Sequence, residues 1–94
     1  MYWMKLRDIL QLQSAEQLRD SRTTKDSIAR LKESIDSVGW QEESGITIAD
    51  NKITGGLIRV QALKELLSEG HIDSDLMISV ELYRTMWVQQ LVKL

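Results

Sequence analysis

The sequence has no cysteine, no proline, no phenylalanine and one histidine in its 94 residues. Without cysteine there is no disulfide framework, no thiolate nucleophile and no cysteine-ligated metal. Without proline there is no proline-rich linker to divide the chain, and 94 residues support one domain with a modest core. No run approaches the ~18 apolar residues that span a bilayer. Met1-Tyr2-Trp3-Met4 is followed at once by Lys5, Arg7 and Asp8, which leaves no room for a signal-peptide core. A cytoplasmic protein without a membrane partner is expected. His71 stands just after Gly70, and Asp73 and Asp75 near it form no recognised ligand spacing, so no metal ligand and no catalytic residue is assigned there.

Charge of one sign is also scarce. The net charge of -2 argues against a protein that coats nucleic acid through a strong overall positive field. Residues 1–34 carry seven Lys or Arg against five acids and residues 35–94 carry five against nine, so any basic surface belongs to the N-terminal third. What is present is a globular composition, 43% apolar and 28% charged.

The periodicities divide the chain. Tyr2 to Leu6 suit a short strand, Arg7 to Gln13 a helical or irregular segment, and residues 14–26 a polar connection. Thr23 or Thr24 caps a helix in which Ile28, Leu31, Ile35 and Val38 share one face, ended by Gly39 with Trp40 covering the core edge. Ile46-Thr47-Ile48, Asp50-Asn51 and Lys52-Ile53-Thr54 read as a hairpin. Gly55-Gly56 opens a helix from Leu57 to Ser68, with Val60, Leu63 and Leu67 on a face and Gly70 at its stop. Leu76, Ile78, Val80 and Leu82 alternate with Met77, Ser79, Glu81 and Tyr83 as a strand with one face on the core. Residues 84–94 are expected to add a C-terminal helical extension through Met86, Val88, Leu91 and Val92. The whole is an α+β fold, a small mixed sheet with helices packed on it, in a single domain over 1–94.

Chemistry concentrates at Thr54-Gly55-Gly56. Glycines let backbone amides approach a ligand, a helix N-terminus favours negative charge, and Arg59 is within reach of an anion held there. A lone double glycine before a helix is a common signal, and taken alone these residues read first as a sharp turn and a solvated arginine. Trp3, Trp40 and Trp87 could stack bases, but in a chain without phenylalanine they read first as core and interface anchors.

Gly56-Leu57-Ile58-Arg59-Val60-Gln61-Ala62 has the Gly-x-x-Arg-x-x-Ala spacing of the nucleotide-binding motif of ParB-like domains. Gln17-Leu18-Arg19 is similar to the Gln-Pro-Arg segment before that family's first long helix. Leu31-Lys32-Glu33-Ser34-Ile35 with Gly39-Trp40-Gln41 is similar to its Leu-x-x-Ser-Ile and Gly-x-x pattern, and Leu76 to Tyr83 takes the place of the strand that closes its sheet. Over residues 3–83 the chain thus resembles the ParB/sulfiredoxin-like fold. The resemblance implies a nucleotide, CTP or ATP with magnesium, or a nucleic-acid phosphate, bound at Gly55, Gly56 and Arg59 with Arg19 assisting.

The departures bear on activity. Leu57 and Ile58 replace the polar residues that commonly follow the motif glycine, and neither donates to a phosphate nor activates water, so catalysis is not expected. The sulfiredoxin reaction needs a cysteine. Glu42-Glu43-Ser44-Gly45 replaces the family's Pro-Ile pair and sets two carboxylates where a polyphosphate would be repelled. The helix-turn-helix and dimerisation domains of partition proteins are absent, which suggests a stand-alone module. Two readings follow: a non-catalytic module binding a nucleotide or DNA, or a phage or mobile-element interaction module that contacts a host protein and keeps the fold without its ligand chemistry. In the second, Leu57 and Ile58 form an apolar contact patch, and Met86, Trp87, Leu91 and Leu94 offer a homodimer seam.

Overall fold

Asp50 and Asn51 adopt φ of 51° and 63°, the two left-handed residues of a tight turn whose twist matches the strands it joins. The turn belongs to a computed structural model of the chain that describes residues 2–40 and 45–83. It links β3 (Thr47–Ala49) to β4 (Lys52–Gly55). Before the hairpin come β1 (Tyr2–Lys5), α1 (Leu6–Leu10), β2 (Gln13–Ser14) and α2 (Arg22–Val38). After it come α3 (Leu57–Ser68) and β5 (Met77–Tyr83). The protein is a small α+β domain with a five-stranded mixed sheet in the order β1-β5-β3-β4-β2. Pairing is antiparallel for β1 with β5 and for β3 with β4, and parallel for β5 with β3 and for β4 with β2. No helix of the described residues is long and apolar enough to cross a membrane.

The core lies between the sheet and the helices. Ile48, Ile53, Ile78 and Val80 supply the sheet side, Ile28 and Ile35 come from α2, Ala62, Leu63 and Leu66 from α3, and Leu6 and Ile9 from α1. α3 packs against both α2 and α1. It is therefore apolar nearly all round, with Leu57, Ile58, Val60 and Leu67 half-buried beside its three buried residues. The expected stripe of Val60, Leu63 and Leu67 is wider than one face for this reason. At the far end Gly70 takes φ of 78°, its amide donates to the Leu67 carbonyl and that of His71 to the Leu66 carbonyl, a Schellman closure.

Several expectations are corrected. α2 starts two residues before Thr24, because Ser21 is its cap: extended at φ -134° and ψ 160°, its Oγ accepts from the Thr24 amide at 3.2 Å. Val38, expected beside Ile28 and Ile35, is 65% exposed; it sits in the last turn, roughly 80° around the helix from Ile28 at 3.6 residues per turn. Leu82, expected on the core face of its strand, is exposed because it lies past the buried run that ends at Val80. Ser79, on the outward face, is fully buried, because the half-buried Trp40 lies over it and donates its indole N–H to Ser79 Oγ at 2.9 Å. β2 falls at the start of the polar connection: Gln13 and Ser14 pair with β4, and the Ala15 amide continues to the Ile53 carbonyl. The expected helical extension over 84–94, its homodimer seam, Trp87 and the carboxylates of Glu42 and Glu43 lie outside the described residues.

Candidate phosphate site at the β4 to α3 turn

The turn between β4 and α3 is built from glycines because two stretches of backbone, the entry to β3 and the turn itself, meet there. Gly56 is the N-cap of α3 at φ 77°, a left-handed conformation, and a Cβ on it would run into the Gly45 carbonyl oxygen. A Cβ on Gly55 would meet the Thr47 hydroxyl, a side-chain group rather than backbone. The segment entering β3 therefore passes directly over the start of α3. Intrahelical bonding begins with the Val60 amide donating to the Gly56 carbonyl at 3.0 Å, which leaves the amides of Leu57, Ile58 and Arg59 without a helical acceptor. These point out of the helix N-terminus, its electropositive end.

Arg59 completes the arrangement. Its guanidinium lies flat against Gly45: a Cβ built on that glycine would come within 2.5 Å of Arg59 Cζ and Nη1. The side chain is half-buried, and among the described residues it forms no ion pair with a carboxylate. Three cations elsewhere are paired, whereas Lys5, Arg19, Arg22, Arg30, Lys52 and Lys64, like Arg59, form no ion pair among the described residues. Lys32 of α2 is held between Glu65 and Glu69 of α3, Arg7 pairs with Asp75 at 3.2 Å and Lys25 with Asp20 at 3.4 Å. The hydrogen bond to Glu69 is the chief cause that holds the Lys32 ammonium pKa above its usual range, and the one from Gln61 is the chief cause that lowers the Glu65 carboxyl.

Gly55, Gly56 and Arg59 thus come together, joined by Gly45, which sequence reasoning passed over as part of an acidic loop. Its signal was present: a glycine directly before the β3 alternation, where a strand gains nothing from one. Arg19 is placed differently, on exposed coil after β2. Its neighbours Gln17 and Leu18 line a groove of about 300 Å³ together with Leu57, Val60, Gln61 and Lys64, but Arg19 does not line it. Leu57 and Ile58 pack their side chains on the core, leaving only backbone amides to face an anion.

The remaining candidates take structural places. His71 Nδ1 lies 3.3 Å from Asp36, tying the end of α3 to α2. Asp73 accepts from the Asp75 amide in a turn, and among the described residues no group of three His, Asp or Glu side chains is arranged to hold a metal ion. No family model, no curated protein and no solved structure matches the chain.

Proposed function

We propose that this chain is a reduced ParB-like module that binds the phosphate of a nucleotide or nucleic acid at Gly55, Gly56 and Arg59, without catalysing its hydrolysis. The observation that carries this reading is Arg59: a half-buried guanidinium without a carboxylate partner among the described residues, laid against Gly45, the residue whose carbonyl crowds the N-cap of α3. A guanidinium fork and helix-terminal amides together match the geometry of phosphate oxygens. The non-catalytic half rests on Leu57 and Ile58, whose side chains are packed on the core and supply no group to activate water. Arg19 reaches such a ligand only if the coil that carries it turns toward the helix.

The test is thermal denaturation of the full chain with CTP, ATP, GTP or a short DNA duplex, each with and without magnesium. Saturation at a hundredfold excess over Kd stabilises by about 2.7 kcal/mol. For a chain of this size that is on the order of ten degrees in Tm. Arg59→Ala should remove the shift. Absence of a shift with every ligand, or an equal shift in Arg59→Ala, would reject the site.

A second reading, a protein-interaction module, is favoured by the apolar side chains left exposed on β1 and β5: Tyr2, Trp3, Met77, Leu82 and Tyr83. Leu57 and Ile58, the patch first suspected, contribute less to it, being half-buried. Binding that survives Arg59→Ala and fails on loss of the β1 and β5 side chains would favour this reading.

A further inference from the structure

The groove of about 300 Å³ beside α3 lies on the side of the helix away from Arg59. Leu57, Val60, Gln61 and Lys64 line it at spacings of three, one and three, which puts them on one stripe of the helix. At 3.6 residues per turn Arg59 stands roughly 150° around from the middle of that stripe, so the groove and the guanidinium occupy opposite sides of α3. The buried Ile9 and Ile53 lie beneath it. Aliphatic side chains that the core leaves half-covered, Leu10, Leu12 and Leu18 among them, turn their remaining flanks into the same concavity. Its volume is at the lower end of the range of small-molecule sites.

The charges sit at its two ends. Lys64 is exposed and forms no ion pair among the described residues. Its neighbours three and four residues away on the helix are Val60, Gln61, Leu67 and Ser68, none of them acidic. It stands seven residues from Leu57, about 10 Å along the axis at 1.5 Å per residue. Glu16 belongs to the opposite end. Ser14 lies beside Ile53 and the Ala15 amide donates to the Ile53 carbonyl, so at position 16 the chain has advanced alongside β4 toward the turn where α3 begins. The electropositive start of α3 favours that carboxylate, whereas Lys64 is two turns away from it.

We propose that this groove binds a medium-chain carboxylate, with its carboxyl group at Lys64 and its alkyl chain laid along Val60 and Leu57 toward Leu18. An extended chain advances roughly 1.2 Å per bond, so about eight carbons span the distance from Lys64 to Leu57. A shorter acid leaves the apolar walls wet, and a cationic analogue sets like charges together at Lys64.

Isothermal titration calorimetry of the full chain with octanoate, octylamine and acetate tests the proposal. Octanoate should bind saturably, with a Kd of roughly 0.1–1 mM for about ten non-hydrogen atoms in an open groove, and more tightly than the other two. Lys64→Glu, a surface change, should weaken octanoate about fivefold and make octylamine the tighter ligand. Ser14→Trp, at an exposed strand position that lines the groove, should fill it and abolish binding while leaving the helical circular dichroism unchanged. If Ser14→Trp fails to fold, the inversion at Lys64 decides alone. No saturable heat with octanoate, an unchanged order of ligands in Lys64→Glu, or undiminished binding by a folded Ser14→Trp would overturn the proposal.

Discussion

Gly56 and Gly70 form a natural matched pair, because both are left-handed, at φ 77° and 78°, yet only Gly56 is crowded. Around Gly70 a new Cβ meets nothing within 4 Å. Gly70→Ala therefore costs only the left-handed backbone term, about 1–2 kcal/mol, reduced by the ~0.4–1 kcal/mol that alanine removes from unfolded-chain entropy. Gly56→Ala carries the same term and drives a methyl into the Gly45 carbonyl, backbone that a side-chain rotation cannot relieve. Overpacking of that kind adds about 1–3 kcal/mol. The total stability expected of a 94-residue domain is about 5–14 kcal/mol, so this difference is readily measured. Urea unfolding followed by tryptophan emission supplies the assay, and with a slope of about 1–3 kcal/mol/M the two midpoints should separate by roughly 1 M. Gly56→Asn is the control: asparagine tolerates left-handed backbone and caps helices well, yet it too carries a Cβ. If Gly56→Ala costs no more than Gly70→Ala, or if asparagine restores full stability at 56, the close crossing of the β3 entry over the α3 N-terminus is wrong.

Gly45→Ala should behave in the opposite way, with stability within ~0.5 kcal/mol of the parent because the new methyl meets the movable end of Arg59, but with the nucleotide-induced thermal shift reduced along with the guanidinium's displacement. Ser21→Ala should cost about 1 kcal/mol in urea unfolding and Thr23→Ala almost nothing, since only Ser21 bonds an amide of the first turn. The α2 to α3 clamp should weaken at both extremes of pH. The lowered Glu65 carboxyl contributes stability that is present above its unfolded pKa and lost as pH falls through the lower folded value. The raised Lys32 ammonium contributes stability that is present below its unfolded pKa and lost as pH rises through the higher folded value. Lys32→Met should flatten the alkaline loss and reduce the acid one, read as urea midpoint against pH.

Elements whose signal is local were legible in the sequence. The Asp50-Asn51 hairpin, the span of α3 with its Gly70 stop and the strand around Ile78 and Val80 depend on turn chemistry and on periods set by a few adjacent residues. The nearness of Gly55, Gly56 and Arg59 was legible for the same reason, since only Leu57 and Ile58 lie between Gly56 and Arg59. What escaped depends on segments distant in sequence. β2 exists only because β4 offers it a ladder, Ser79 is buried only because Trp40 comes back over the sheet, and Gly45 matters only because its backbone crosses α3. Arg19 was drawn toward the site by its flanking order, but position along a coil does not specify direction. Local sequence determined which segments are helix, strand and turn, because caps, glycines and periodicity act within a few residues. Tertiary packing alone decided the strand order β1-β5-β3-β4-β2 and the crossing that seats Arg59 against Gly45, because each is a contact between surfaces that periodicity describes one at a time.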